Sequence, residues 1–297
     1  MQLVDLTKNW RRLAMTGAAL LSLILSAHAA SAAAEQSHPM RFGHLGVSDG
    51  LSQSYVMAVL LDSEGWMWFA TENGLNSYDG YEFHYFKRER GNPAALRNDF
   101  IFDVAEGKDG SLWLATNGGG LANLDRKSGK VRSWLHDADD AGSIAGNVVR
   151  SLFVDAKGVV WLGTRGAGLD RFDPAAGTFT HVDLGDTDTS GTIFVITSAD
   201  DDGLWIGGDH GLVRFDTRSG EVTNVTASLG ATGEHSVRAV VAGSDGQLWI
   251  GSYGGGIVGL DAEGTVAAAL AHDANDPATL AGDNVTVLFE DDARRLW

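Results

Sequence analysis

Short stretches of alternating apolar and polar residues, separated by glycine-rich turns, recur along the chain after residue 53. Each unit holds four of them: an apolar-rich stretch such as Val148–Asp155, a stretch with a tryptophan, a stretch ending in aspartate such as Leu169–Asp173, and a last one such as Thr178–Val182. No segment keeps the apolar period of 3.6 residues that a helix on a protein surface needs. The pattern predicts four short antiparallel strands per unit.

Tryptophans mark the period, because the second stretch of each unit carries one at spacings of 44 to 48 residues: Trp68, Trp113, Trp161, Trp205, Trp249 and Trp297. Periods of this size indicate a propeller or a solenoid, and a solenoid of this period would need helices. The chain is therefore predicted to be an all-β protein, a β-propeller with four-stranded antiparallel blades. We interpret each tryptophan as the packing anchor between neighbouring blades. The aspartates that end third strands, as Asp173, Asp216 and Asp261 do, are interpreted as Asx-turn acceptors rather than acid catalysts.

The repeat sets the expected boundaries along the chain. These are 1–34 for a signal peptide, 35–53 for an N-terminal strand that closes the last blade, 54–97, 98–146, 147–190, 191–234 and 235–283 for blades 1 to 5, and 284–297 for a truncated sixth blade. The last segment repeats only a first strand and its turn, and Arg41–Gly46 is similar to a fourth strand. We therefore expect a fragment of a larger propeller.

The first 34 residues have the order of a secretory signal peptide. Lys8, Arg11 and Arg12 precede an apolar run from Leu13 to Ala27, and small residues follow before Glu35. The alternative is an uncleaved membrane anchor, but the run is shorter than the roughly 20 residues that span a bilayer. We expect export, cleavage near residue 34, and a periplasmic or other extracytoplasmic location.

Charge and cysteine content exclude several classes of function. The formal net charge is −17 and the chain has no cysteine. An acidic surface repels nucleic acid and anionic lipid, so neither is expected as a partner. Without cysteine, the chain can have no disulfide, no thiolate metal site and no cysteine nucleophile.

Two glycine motifs and one acidic motif resemble known functional sites. Gly254–Gly259 matches a dinucleotide fingerprint and Gly46–Gly50 a nucleophile elbow, but neither has the strand-to-helix context that its chemistry requires. No cofactor is therefore predicted. The histidines share no repeat position, which argues against a zinc site. One weak calcium candidate remains, since its twelfth position is Thr197 instead of a bidentate glutamate; its ligands would be Asp186, Asp188 and Ser190.

One position of the repeat varies while its neighbours stay nearly constant. It lies four residues after each tryptophan and holds polar or hydrogen-bonding side chains: Glu72, Asn117, Arg165, Asp209 and Tyr253. In a four-stranded blade this position falls in the turn between the second and third strands, on the face of the long connections between blades. A ring of varied polar residues suits recognition of a polar ligand. The alternative is that turn tips are polar in any case.

The repeat resembles the two-component regulator propeller family, whose pattern of an asparagine, a tryptophan strand and a glycine turn is carried by Asn147-Val148, Asp109-Gly110-Ser111-Leu112-Trp113, Trp161-Leu162-Gly163-Thr164 and Gly119-Gly120-Leu121. The opening at 41–52 is also similar, whereas the fourth repeat departs with Gly207-Gly208. The resemblance implies seven blades in the complete domain. It also implies the extracytoplasmic sensor of a bacterial receptor, in which a membrane helix and a histidine kinase or diguanylate cyclase follow the propeller.

The leading hypothesis is therefore a ligand-sensing module that is not itself an enzyme. Its partner would be a small molecule or a glycan, with the membrane reached only through a part beyond this chain, and a receptor homodimer is left open. The alternatives are a secreted propeller enzyme, such as a polysaccharide lyase or a glycosidase, and a scaffold that binds proteins through its blade rims. A glycosidase would need two facing carboxylates, for which Glu72 and Asp209 are the candidates.

Overall fold

A computed structural model describes residues 43–185, 191–234 and 236–297 of the protein. Within these residues the regular structure is almost entirely β. In chain order the strands are β1 Val56–Leu61, β2 Met67–Thr71, β3 Gly74–Tyr78, β4 Phe83–Phe86, β5 Ile101–Glu106, β6 Leu112–Thr116, β7 Leu121–Leu124, β8 Val131–Trp134, β9 Val149–Val154, β10 Val160–Thr164, β11 Leu169–Asp173, β12 Thr178–Val182, β13 Ile193–Ser198, β14 Gly203–Gly208, β15 Gly211–Asp216, β16 Val222–Asn224, β17 Val237–Ala242, β18 Leu248–Ser252, β19 Gly256–Leu260 and β20 Val266–Leu270. Two 3₁₀ segments, Val47–Asp49 and Thr226–Glu234, complete the described secondary structure.

The strands form five antiparallel sheets of four, and each sheet is built from four consecutive strands in sequence order. We number them sheets 1 to 5, with β1–β4 as sheet 1 and β17–β20 as sheet 5. The predicted all-β fold of four-stranded propeller blades is confirmed. Each sheet lies within one predicted blade range, while the ends of those ranges fall in the connections and stay predictions. Among the described residues, no helix is long and apolar enough to cross a membrane.

The first strand of each sheet contacts the first strand of the next, as β1 does β5 and β9 does β13. First strands therefore lie on the inner side of the array, where the axis of a propeller runs. Second strands also contact the first strand of the following sheet, as β6 does β9 and β14 does β17. Apolar faces of successive sheets are thus buried against one another.

The recurring tryptophans fill the space between sheets, which confirms their predicted role as packing anchors. Trp113 and Trp161 are almost fully buried. Their rings contact phenylalanines of the following sheet, with centroids 5.6 Å apart for Trp113 and Phe172 and 5.8 Å apart for Trp161 and Phe215. Both pairs meet edge to face, an arrangement that aromatic rings favour.

The aspartates at the ends of third strands are turn acceptors, as predicted. The Oδ1 atom of Asp173 accepts hydrogen bonds from the backbone N–H groups of Ala175 and Ala176, at 2.9 and 3.1 Å. Asp216 and Asp261 close their turns in the same way. These carboxylates accept backbone hydrogen bonds within their own turns, as aspartates do in Asx-turns.

Several expectations concern the ends of the chain. The predicted signal peptide and the start of the N-terminal strand, Arg41 and Phe42, lie outside the described residues, and residues 43–46 form no strand. At the other end, Phe289 and Trp297 exchange backbone hydrogen bonds of 3.1 and 2.7 Å, so the last described residues form a short hairpin.

Gly207 in the second strand of sheet 4 shows how closely the sheets approach. A Cβ atom built there would lie 2.6 Å from Cγ1 of Val237 in sheet 5 and 2.7 Å from Cγ1 of Val195 in its own sheet. Because overpacking of this kind is destabilising, we expect Gly207→Ala to lower the free energy of unfolding by about 1 to 3 kcal/mol. Urea denaturation would measure it. Gly282→Ala is the control, since no atom lies within 4 Å of its Cβ position. Equal effects of the two substitutions would contradict the close approach.

Candidate functional site

The varied positions of the repeat lie where one sheet meets the next. Each directly follows a second strand. In sheets 2 to 5 its backbone N–H group donates to the residue just before the first strand of its own sheet, as Asn117 does to Phe100 and Arg165 to Val148, both at 2.9 Å. Isolated bridges also pair Asn117 with Val148 and Arg165 with Thr192 of the following sheets. The backbone at these two positions is therefore fixed between two sheets.

The long connections between sheets lie on the same face, as predicted. In the connection after sheet 2, the N–H group of His136 donates to Oδ1 of Asn147 at 2.7 Å. After sheet 5, the N–H group of His272 donates to Oδ1 of Asp283 at the same distance. The carbonyl oxygen of Asn147 in turn accepts from the N–H group of Gly118, at 2.9 Å. Both connections thus fold alike and are tied to the glycine turns beside the varied positions.

The five predicted residues do not form one continuous site. Arg165 and Tyr253 contact side chains on the inner side of the array, as described below. Asp209 accepts a hydrogen bond of 2.9 Å from the N–H group of Thr192. Asn117 contributes its backbone. Glu72 is exposed in sheet 1, and no hydrogen bond or ion pair of the described residues joins it to Asp209. The three calcium candidates, Asp186, Asp188 and Ser190, lie outside the described residues.

Four side chains from the first strands of sheets 2 to 5 stack in alternation on the inner side of the array. The guanidinium carbon of Arg150 lies 4.6 Å from the ring centroid of Phe102 and 5.4 Å from that of Phe194. On the far side of Phe194, the guanidinium carbon of Arg238 lies 3.4 Å from the ring centroid. Distances of this size are typical of cation–π contacts.

Two of the predicted residues extend this stack at its ends. The guanidinium carbon of Arg165 lies 5.9 Å from the ring of Phe102, and that of Arg238 lies 5.3 Å from the ring of Tyr253. Cations and aromatic rings therefore alternate through six residues from four sheets. We call this set the cation–aromatic row: Arg165, Phe102, Arg150, Phe194, Arg238 and Tyr253.

A β-bulge places the four central members of the row. In all five sheets the register between the first and second strands shifts at the second residue of the first strand, which is Met57, Phe102, Arg150, Phe194 or Arg238. A bulge leaves its extra residue outside the ladder and re-aims the side chain. These side chains are consequently free to stack on one another between neighbouring first strands.

Sequence reasoning missed the bulged residues, although the chain carries a signal for them. In sheets 2 to 5, buried apolar side chains occupy the first and fourth positions of the first strands, as Ile101 and Val104 do in sheet 2. In a regular strand these two positions face opposite sides, because side chains alternate with a period of two. Burying both on the same side requires one extra residue between them, which is the bulge.

The charges of the row raise one another's energy. Burial lowers the pKa of Arg150 below its ordinary value, the nearby positive charges of Arg238 and Arg165 lower it further, and Asp103 and Tyr55 oppose them. Burial likewise lowers the pKa of Arg238, which Asp209 and Tyr253 oppose. Desolvation and like charges both disfavour the charged form of a base. The row is therefore a partly buried concentration of positive charge.

The carboxyl group of Asp103 lies beside Arg150 but is engaged elsewhere. It accepts hydrogen bonds from the backbone N–H groups of Leu152, at 2.8 Å, and Val104, at 2.9 Å. Burial raises its pKa to about 6, in spite of these hydrogen bonds and the charge of Arg150. Asp103 thus connects two first strands and forms no ion pair of the described set.

A cavity of about 780 Å³ lies between sheets 1 and 2 at the opposite ends of the strands. Arg126, one of several basic residues in its lining, forms an ion pair with Asp62, and its Nη2 atom lies 3.3 Å from an Oε atom of Glu64 and 3.2 Å from one of Glu106. The guanidinium group of Arg126 is therefore already engaged by carboxylates of the protein.

One group of described residues offers three donor atoms to a metal. These belong to Asp79, Glu82 and His84, which are exposed and bring one ligand atom each within 4.8 Å of the others. Asp79 already accepts hydrogen bonds from the N–H groups of Tyr81 and Glu82, as a turn aspartate does. Its place at a turn explains the group without a metal.

Three segments of the chain match the family model of the two component regulator propeller, at residues 50–73, 95–118 and 143–166. Each runs from a connection through the first and second strands to the varied position or just past it. The resemblance seen in the sequence is therefore confirmed. The chain is thus a β-propeller in which three repeats match the two component regulator propeller.

Solved structures share this fold. The extracellular domain of BT3049 from B. thetaiotaomicron, described as a hybrid two component system, is 22% identical, with a TM-score of 0.60 over 86% of this chain and 40% of that one. The corresponding domain of BT4673 from the same organism is 20% identical, with a TM-score of 0.61 over 86% and 37%. PorZ, a surface component of the type-IX secretion system of Porphyromonas gingivalis, is 15% identical, with a TM-score of 0.59 over 80% and 36%. The chain thus spans well under half of each of these proteins. No curated protein matches it.

Proposed function

We propose that the chain is the extracytoplasmic ligand-sensing propeller of a bacterial signal-transduction receptor. The observation that carries the proposal is the match of three repeats to the two component regulator propeller family. Two of the similar structures are extracellular domains of proteins described as hybrid two component systems, which supports the same role. In this proposal a membrane helix and an output domain, such as a histidine kinase or a diguanylate cyclase, belong to the complete receptor.

Ligand recognition is proposed at the face that carries the varied positions. Arg165 and Tyr253 are the strongest candidates, because their side chains are exposed and join the cation–aromatic row. Arginine supplies a planar fork of donors and tyrosine a stacking surface with a polar end. The expected ligand is a small molecule or a glycan. An enzyme is less favoured, since its two candidate carboxylates, Glu72 and Asp209, lie in different sheets and no hydrogen bond joins them within the described residues.

The proposal predicts that substitutions at the varied positions abolish the response to the ligand while the fold persists. In a host strain that lacks the gene, transcript profiling against a panel of glycans and small metabolites should reveal a lost response, which the intact gene restores. Arg165→Ala and Tyr253→Ala should each restore it at least about tenfold less sensitively, as loss of a charged or stacking contact implies. Fractionation of the same strains should place the protein outside the cytoplasm, with its N-terminus near residue 35.

Matched controls use residues of the same kind on exposed turns at the other ends of the strands. Arg218 has a 79% exposed side chain and Tyr81 is 93% exposed. Arg218→Ala and Tyr81→Ala should therefore restore the full response. A protein that stays in the cytoplasm and still begins at Met1 would refute the proposed location. Full responses from both Arg165→Ala and Tyr253→Ala would show that the varied positions do not recognise the ligand.

A further inference from the structure

The three arginines of the cation–aromatic row are short of hydrogen-bond partners. Within the described parts of the chain, neither Arg150, Arg165 nor Arg238 forms an ion pair with a carboxylate. The Nε atom of Arg238 is buried and has no hydrogen-bond acceptor, and its Nη2 atom lies 3.4 Å from Oγ of Ser236. A buried guanidinium N–H group without an acceptor costs free energy. An acceptor from outside the chain would relieve this cost.

Some arginines outside the row are paired. Arg126 forms ion pairs with Asp62 and its neighbours, and Arg214 and Arg218 each lie 2.5 Å from a carboxylate oxygen. Exposed arginines such as Arg132 form no ion pair among the described residues either, and water can satisfy their donors. Among the described arginines, Arg238 alone has a buried donor atom without an acceptor. The missing partner therefore matters in the row because the donor is buried there.

The acidic residues nearest the row are held by the backbone. The carboxylate of Asp103 accepts from the N–H groups of Leu152 and Val104, and that of Asp209 accepts from the N–H group of Thr192. Both influence the row only through their charge. The arginines of the row consequently keep N–H donors that an oxyanion could accept from.

The stacking geometry leaves the donors of the arginines available. A guanidinium group is planar, and its N–H bonds lie in that plane. The rings of Phe102 and Phe194 contact the guanidinium group of Arg150, and those of Phe194 and Tyr253 contact that of Arg238. Such contacts are made with the positive charge and leave the N–H donors for other acceptors. The donors of a guanidinium group are suited to bidentate recognition of an anion.

We propose that the cation–aromatic row is an anion-binding site on the inner side of the array, which takes a small organic ligand through its carboxylate, sulfate or phosphate groups. The inference rests on the proposed function in one respect, namely that the bound anion is the ligand that the receptor senses. Arg150 and Arg238 hold the anionic groups, Arg165 and Tyr253 line the exposed ends, and the two phenylalanines keep the guanidinium planes in place.

Titration calorimetry on the purified full chain, in a buffer free of phosphate and sulfate at 150 mM sodium chloride, would test this site. The probes are citrate for carboxylates, inorganic sulfate and inorganic phosphate, with glucose as a neutral probe. We expect saturable binding of at least one anion and none of glucose. The probe that binds most tightly separates the carboxylate from the two tetrahedral anions. Absence of binding by all three anions would overturn the proposal.

Substitution by methionine removes the donors while keeping most of the volume. Arg238→Met and Arg150→Met should each weaken binding of the best anion by about tenfold or more, as loss of a charge-assisted hydrogen bond implies. Arg132→Met is the matched control, because the guanidinium carbon of Arg132 also stacks on an aromatic ring, 4.5 Å from the centroid of Trp134, but in a fourth strand. Unchanged binding in the control is expected.

Thermal unfolding distinguishes a binding role from a structural one. Like charges that are partly buried destabilise a fold, so Arg238→Met should unfold at the same or a higher temperature than the wild type in the absence of anion. A lower midpoint together with intact anion binding would mean that the arginines are structural, which would overturn the proposal. Citrate or the best anion should raise the midpoint of the wild type more than that of the variant, because a ligand stabilises the state that binds it.

Failure of this site and failure of the sensor function give different results. If anions do not bind while the host response depends on Arg165 and Tyr253, the proposed anion site is refuted and the proposed sensing function is retained. If anions bind through Arg150 and Arg238 but the gene has no role in any response, the anion site is retained and the sensing function is refuted.

Discussion

Trp161→Ala is expected to lower the free energy of unfolding by about 3 to 5 kcal/mol, the range seen for large aromatic side chains removed from protein cores. Trp161 is 2% exposed and packs between sheets 3 and 4, against Phe215. The neighbouring sheets are held by their backbone ladders and can close only part of the cavity. Urea denaturation followed by tryptophan fluorescence, with circular dichroism as a second signal, would measure the loss.

The chain offers a matched control for this substitution. Trp297 stands at the same position of the last repeat and donates through Nε1 to Asp291 at 2.9 Å, as Trp161 donates to Asp155 at 3.1 Å, but it is 46% exposed. Trp297→Ala should therefore cost only about 1 kcal/mol, because less apolar area is buried. The difference between the two variants measures packing between sheets. Similar losses in both would show that the tryptophan stabilises the fold through its hydrogen bond and not through packing between sheets.

Much of the fold could be predicted because the same pattern of residues recurs in five repeats. A tryptophan followed two residues later by glycine or alanine on a short strand, and then by a turn and an aspartate, fits a sheet that packs face to face with its neighbours. The strand order, the packing role of Trp113 and the turn role of Asp173 all follow from that local chemistry.

The candidate site could be predicted only in part, because it depends on the side chains that meet across different sheets. Arg165 and Tyr253 were identified from their variation between repeats, yet their contacts are with Phe102 and Arg238. Those partners lie at the bulged positions of first strands, which periodicity alone does not reveal. Variation at the second position of the first strand, between two buried apolar positions, was the signal available in the sequence.

A buried aspartate, whose role sequence reasoning did not identify, stabilises the turn between the first and second strands of sheet 1. Asp62 is 5% exposed, and its carboxylate accepts hydrogen bonds from the N–H groups of Glu64 and Trp66, both at 2.9 Å, and from Nε1 of Trp68 at 2.7 Å. Arg126 of sheet 2 completes the set with an ion pair. One side chain therefore joins a turn, a packing anchor and the neighbouring sheet.

Asp62→Ala is expected to lower the free energy of unfolding by about 3 to 5 kcal/mol at pH 7, because it leaves three donors without their acceptor and removes one carboxylate from a largely buried arginine. Asp155 is the matched control. It accepts the equivalent hydrogen bonds from Lys157, Val159 and Trp161 and has no arginine partner among the described residues. Asp155→Ala should cost about 1 to 3 kcal/mol, the range for an unsatisfied group without the ion pair.

The loss in Asp62→Ala should also depend on pH. Burial opposes ionisation of Asp62, but the hydrogen bonds from Trp68, Trp66 and Glu64 and the ion pair with Arg126 hold its pKa below its ordinary value of 3.8. A carboxylate whose pKa is lower in the folded state stabilises the fold above its unfolded pKa, and this contribution disappears as the pH falls through the folded pKa. Urea denaturation at several pH values should therefore show the full difference between wild type and variant from pH 5 to 7 and a narrower one below about pH 4. A difference that stays constant down to pH 2 would show that packing of the side chain, rather than its charge, stabilises this turn.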